Sequence, residues 1–282
     1  MDTRTSAKQA VTTATVRVNG ADLYHEIRGS GPPILFIMGA TGDGGAFERV
    51  ADLLADDFTV VTYHRRGNAL SPRPDGWTST SIDEQADDAA ALLRTLGFAP
   101  AVVFGTSAGA PILLNLLTCR PDVLRGAIVH ELLLKSIVAN DGEAREAIDR
   151  FFAKVGAALG AGGPSAAMEA LLRAMFGDAA YEALDPILRE RMLESADSFF
   201  SIELAAFNAY VPDPADLARV TVPTMVATGE VDVLGGAFRQ SCEWVARHLG
   251  TTVRELPGAH STYLDHPNEL AGVIRTFVQG LD

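Results

Sequence analysis

Residues 105–109 read Gly-Thr-Ser-Ala-Gly, and their flanks limit what the chain can fold into more than any other segment does. The apolar run Ala101–Phe104 leads straight in, and the apolar run Ala110–Leu117 leads straight out. A strand can pass into a helix over so short a link only through a sharp turn with small neighbours. Gly-x-Ser-x-Gly between strand and helix is the pattern of a nucleophile elbow. The serine is forced into a strained turn, and its Oγ then stands at the carboxyl edge of a sheet. It also stands at the amino end of a helix, whose positive pole favours developing negative charge. Pro111 falls in the first helical turn, where a missing N–H breaks no bond. The bland alternative is an ordinary tight strand-to-helix turn.

Other short apolar runs recur at Ile34–Met38, Phe58–Tyr63, Gly126–Val129, Pro223–Ala227 and Thr251–Leu256. Continuous runs of this length read as strands covered on both faces, as in a parallel sheet. Helical patterns lie between them at Phe47–Leu54, Ser81–Leu96, Phe238–Leu249 and Asn268–Phe277. The start of the chain differs. Ala14–Val18 and Leu23–Ile27 alternate in polarity across Asn19-Gly20, which predicts a hairpin. Together these elements predict an α/β fold with a mostly parallel eight-stranded sheet flanked by helices.

One interval breaks the alternation. Residues 133–215 hold only helical patterns, at Glu143–Leu159, Ser165–Phe176 and Asp185–Tyr210, closed by Pro212 and Pro214. The expected organisation is a helical cap inserted between core segments 1–132 and 216–282. The cap carries Phe151, Phe152, Phe176, Tyr181, Phe199, Phe200, Phe207 and Tyr210. These rings either fill the cap's own core or line an apolar pocket for a hydrophobic small-molecule substrate.

A serine nucleophile at Ser107 needs a base. His260, in Leu256-Pro-Gly-Ala-His260, follows the last predicted strand and keeps the order serine then histidine. The other histidines compete poorly. His25 falls on the hairpin, His248 late in a helix, and His266 at the start of the last helix as its expected cap. His64 and His130 sit near strand ends, where either would line the site. An acid must orient the base and support its cation. Two carboxylates qualify, Glu131 after the Gly126–Val129 strand and Asp232 after the Pro223–Ala227 strand, and position along the chain leaves both open. Acyl chemistry also calls for two backbone N–H donors aimed at the oxyanion. Ala108 supplies one by position. The second is expected from the Gly-rich loop after Met38, at Ala40, with Gly39 next.

The 282 residues carry 48% hydrophobic side chains and a net charge of −13, ample for a core and wrong in sign for nucleic acid. No run is long enough for a membrane span, and the amino terminus shows no apolar leader, so a cytoplasmic protein is expected. Cys119 and Cys242 are too few for a disulfide framework. No zinc-binding His or Cys spacing and no phosphate-loop pattern appears, so neither metal nor cofactor is expected.

These landmarks, in this order, resemble the α/β-hydrolase superfamily over residues 20–280: the Gly39 loop, Tyr63-His64-Arg65-Arg66-Gly67 running to Ser71, GTSAG, a helical cap, Gly229-Glu-Val-Asp232 and Pro257-Gly-Ala-His260. Met38, His64 and Ala69 depart from the usual His, Asp and Gly of that pattern. His130-Glu131-Leu132 with His266-Pro267 looks like the branch that includes zearalenone-type lactonases, which implies Glu131 as the acid. Most of the superfamily uses an aspartate at the position of Asp232. The expected activity is a serine hydrolase that cleaves a carboxylic ester or lactone through an acyl-enzyme on Ser107. A C–C bond hydrolase or cofactor-free perhydrolase would use the same constellation. The non-enzyme alternative is a small-ligand receptor on the same scaffold.

Overall fold

The computed structural model describes residues 10–138 and 142–281. Strands β1 (Thr12–Val18) and β2 (Ala21–Arg28) pair antiparallel around Asn19-Gly20. Both turn residues have positive φ, +47° and +79°, the signature of a type I′ hairpin. Six strands follow: β3 (Pro33–Ile37), β4 (Thr59–Tyr63), β5 (Ala101–Thr106), β6 (Leu124–His130), β7 (Thr224–Gly229) and β8 (Val253–Leu256). The eight strands form one sheet in the order β1-β2-β4-β3-β5-β6-β7-β8. β2 meets β4 antiparallel, and all pairings from β4 to β8 are parallel. Strands β4 and β5 are buried at every position, as continuous apolar runs require when helices cover both faces.

The sheet is flanked by α1 (Glu48–Leu54), α2 (Ile82–Thr95) and α3 (Gly109–Cys119). Ser81 caps α2 by accepting the Glu84 N–H at 3.0 Å. Parallel register sets Gly105 against both Ile37 and Val129, and Gly229 against Leu256. The carboxyl ends of β3, β5, β6, β7 and β8 therefore share one edge, and the loops leaving that edge carry the residues singled out above.

Between β6 and β7 the described residues form helices and no strand. α4 (Glu143–Phe176) contains the two helices expected at Glu143–Leu159 and Ser165–Phe176, meeting at a kink. Gly163 adopts φ 75°, ψ −168° there, because Pro164 disfavours helical backbone before it and glycine tolerates the alternative. α5 (Asp178–Glu182) and α6 (Pro186–Glu194) follow. The single helix expected over Asp185–Tyr210 is instead broken into α6, α7 (Ala196–Ser198), a π turn at Phe199–Glu203 and α8 (Leu204–Ala209). Short α9 (Pro214–Leu217) leads into β7, and α10 (Ala237–His248), α11 (Thr262–Asp265) and α12 (Pro267–Gln279) complete the fold. His266 holds the N-cap position of α12, but its side chain makes no capping hydrogen bond, contrary to expectation.

A small second apolar cluster, including Val138, Ile148, Met175, Leu234 and Phe238, joins α4 to α10 away from the main core. Cys119 is exposed and Cys242 buried, and both are free. Among the described residues no helix is long and apolar enough to cross a membrane. Residues 1–9, which bear on the expected lack of a leader, lie outside the described residues.

Candidate active site

Ser107 sits between β5 and α3 with φ +54°, a left-handed conformation that costs a non-glycine residue about 1–3 kcal/mol and needs support from its surroundings. Its N–H donates to His130 O at 3.0 Å, and its carbonyl accepts the Ala110 N–H at 3.0 Å. The motif's glycines allow the approach. A Cβ on Gly105 would lie 2.7 Å from Gly109 O, and one on Gly109 would lie 2.3 Å from Ile37 O. Gly39 on the facing loop is just as tight, since a Cβ there would meet Ser107 Cβ at 2.7 Å.

His260 reaches the same edge from the loop after β8. It is buried, stacks on Phe238 with centroids 4.7 Å apart, and lines a small cavity together with Ser107, Gly39, Ala40 and Thr41. Its Nδ1 lies 3.0 Å from Glu131 Oε2. The other oxygen, Oε1, accepts from Thr228 Oγ1 at 2.7 Å and from the Gly229 N–H at 2.6 Å. Glu131 also has positive φ, +49°, and its own N–H donates to Ala227 O at 3.0 Å. Burial alone would raise its pKa. The hydrogen bond and charge of His260, the charge of His130 and the Gly229 N–H outweigh that and bring it down to about 2. An ionised carboxylate only accepts, so the His260 Nδ1–H donates to Glu131 Oε2.

Of the two carboxylates that the sequence leaves open, the structure brings only Glu131 to His260. Asp232 is turned elsewhere. The Glu230 and Val231 N–H groups donate to Leu256 O and Gly258 O, each at 3.0 Å, so the loops after β7 and β8 run side by side. Asp232 then accepts the Leu234 and Arg239 N–H groups, each at 2.9 Å, and secures the start of α10. His64 and His130, expected near the site, line neither cavity at Ser107. His64 Nε2 is 3.0 Å from the buried Asp43, and His130 Nδ1 is 2.8 Å from Thr106 Oγ1. Burial pushes the pKa of His130 down to about 4, so its ring is neutral at pH 7.

A larger cavity also opens at Ser107. Ala40, Ser107 and Ala108 form its floor, and Phe151, Phe152, Phe199, Phe200, Phe207 and Phe238 dominate its walls. Five of these six rings come from the helices between β6 and β7. Of the other aromatics expected there, Phe176 lines the small cavity, while Tyr181 and Tyr210 line neither. The amides of Ala40 and Ala108 have no protein acceptor among the described residues.

Sequence reasoning missed three sets of contacts. Thr228 fixes the outer oxygen of Glu131. Arg65 and Glu203, both fully buried, form an ion pair against the Gly39 loop, with Arg65 Nη1 2.6 Å from Glu203 Oε1. Asp43 in that loop takes Arg191 Nε at 2.8 Å from α6. A lone acid inside the apolar stretch Ser198-Phe-Phe-Ser-Ile-Glu203 was the available signal for Glu203.

The alpha/beta hydrolase fold family matches residues 32–267. An uncharacterized hydrolase, YraK, of Bacillus subtilis (strain 168) is 29% identical over 264 residues, covering 93% of this chain and 94% of that protein. A zearalenone hydrolase of Cladophialophora bantiana is 25% identical over 259 residues, covering 90% and 91%. The solved structure of the enol-lactonase from Burkholderia xenovorans LB400 superposes with a TM-score of 0.75 at 19% identity, covering 94% of this chain and all of that one (100%). The sheet order, the left-handed serine between β5 and α3, and a match over residues 32–267 agree, and the chain belongs to the α/β-hydrolase family.

Proposed function

We propose that this hydrolase cleaves a carboxylic ester or lactone of an apolar small molecule through an acyl-enzyme on Ser107. The observation that carries the reading is the doubly anchored Glu131. Its Oε1 is fixed by Thr228 and Gly229, which leaves Oε2 to orient His260. His260 Nε2 takes the proton from Ser107 Oγ as that oxygen attacks the carbonyl carbon. Glu131 stays ionised and supports the imidazolium. The Ala40 and Ala108 N–H groups receive the oxyanion. His260 then returns the proton to the leaving alcohol. Water, deprotonated by His260 in turn, releases the acid and frees Ser107. The helices between β6 and β7 act as a cap, and their phenylalanines hold the apolar body of the substrate over Ser107.

A fluorophosphonate probe tests the reading directly. Wild type is expected to label on Ser107 and to turn over p-nitrophenyl esters, with both lost in Ser107→Ala. Folded wild-type protein that neither labels nor turns over would sink the reading and leave a ligand receptor in its place. The zearalenone hydrolase relative is the reason to include lactones in the substrate panel.

A further inference from the structure

We infer that Arg65 and Glu203 are positioning residues that aim the Ala40 N–H at the oxyanion, so that the inserted helices complete the catalytic site. The inference rests on the serine-hydrolase reading. Arg65 follows β4 by two residues and directs Nε and Nη2 of its guanidinium at the Gly39 loop. Nε donates to Met38 O at 3.2 Å and Nη2 to Gly39 O at 2.9 Å. The Gly39–Ala40 peptide is planar and trans, so a Gly39 carbonyl turned to Arg65 turns the Ala40 N–H the opposite way. Ala40 and Ser107 line the same cavity, and the Ala40 N–H has no protein acceptor among the described residues. The Gly42 N–H also donates to Gly39 O at 3.0 Å, so Arg65 is the second donor on a carbonyl that the loop's own turn already holds.

Glu203 in turn holds Arg65. It takes Arg65 Nη1 at 2.6 Å and Nη2 at 2.9 Å, a bidentate pair. It also accepts from Gln85 Nε2 at 2.9 Å and Asn68 Nδ2 at 3.0 Å. Stability alone does not explain such a pair, because apolar residues of similar volume often serve as well. The guanidinium fork, which grips a carboxylate and two carbonyls at once, explains why arginine stands here. Glu203 closes the π turn that carries Phe199 and Phe200 into the cavity, and π turns concentrate at functional sites. Substrate seated on those rings therefore presses on the element that aims the oxyanion donor.

The experiment is the steady-state kinetics of Glu203→Gln and Arg65→Lys on p-nitrophenyl butyrate, with inhibition by an alkyl trifluoromethyl ketone, which forms an oxyanion on the serine. Losing one aimed donor is expected to lower kcat by about 10²-fold while KM stays within about twofold. Ketone affinity should fall by a similar factor. Folded variants with wild-type kcat and ketone affinity, or with a rise in KM alone, overturn the inference. Gln85→Leu covers the case in which those variants fail to fold, since it strips one hydrogen bond from each partner and keeps the pair. Lowered kcat at constant KM then supports the inference, and lowered Tm with unchanged kcat overturns it. Wild type and Ser107→Ala run alongside. Wild-type turnover that needs Ser107, with unaffected variants, overturns this inference alone; no wild-type turnover overturns both.

Discussion

Two residues other than glycine in the site accept left-handed backbone, Ser107 and Glu131, and each is held by a neighbouring strand. For Glu131 the conformation brings the carboxylate between the β7 donors and His260. Glu131→Gln is expected to lower kcat by about 10³–10⁴-fold, because an amide fails to hold the imidazole tautomer and to support its cation. Asp232→Ala should leave kcat within about twofold and cost about 1 kcal/mol of stability, because it removes the acceptor of the Arg239 N–H in the first turn of α10. Ester turnover and chemical denaturation of the two variants check both statements. The lowered pKa of Glu131 has a defined sign. Its contribution to stability is fully present above about 4.5, the ordinary value, and is lost as pH falls towards about 2. The stability difference between wild type and Glu131→Gln should shrink as pH falls from about 4.5 towards about 2. Ser107 and His260 were legible in the sequence because a motif and a strand end marked them. Which carboxylate meets His260 was implied by the resemblance alone, because spacing along the chain does not report which way a loop turns after its strand.

At the scale of elements, the β5–Ser107–α3 unit is built on close backbone approach, and its glycines are steric requirements. Gly105→Ala would drive a Cβ to 2.7 Å from Gly109 O. The backbone there has no flexible end to yield, so a loss of about 1–3 kcal/mol is expected, read as a lower denaturation midpoint at unchanged m. Gly20→Ala is the contrast. A Cβ there meets nothing within 4 Å, and only the positive φ of +79° resists it. Apolar runs and turn chemistry made the strands and the hairpin legible. The broken helix between Asp185 and Tyr210 was not, because one extra residue in a π turn leaves the 3.6-residue pattern nearly intact while rotating everything after it. That rotation sets Glu203 against Arg65 while Phe199 and Phe200 line the cavity.

Across the whole molecule the inserted helices are attached in two different ways. The α6-to-α8 part is pinned to the core by buried charge, through Arg65–Glu203 and Arg191–Asp43. The α4 part is held by apolar contact, through the small cluster with α10 and through Met168 and Leu172 in the main core. Burial would raise the pKa of Asp43, but the hydrogen bonds and charges of His64 and Arg191 bring it below the usual carboxylate range. Its contribution is therefore present at neutral pH and is lost as acid moves below that range. Hydrogen exchange should report faster opening of α6 in Asp43→Asn at pH 7, and the excess over wild type should narrow in acid. The mostly parallel sheet and the helical stretch between β6 and β7 were legible as a change from mixed to purely helical patterning. The pins were not, because each joins residues more than a hundred positions apart. The neighbouring ends of β6 and β7 have one more consequence. Carboxylates at both places give two strand ends from which an acid could reach the base: here Glu131 meets His260, while Asp232 is committed to the helix behind it.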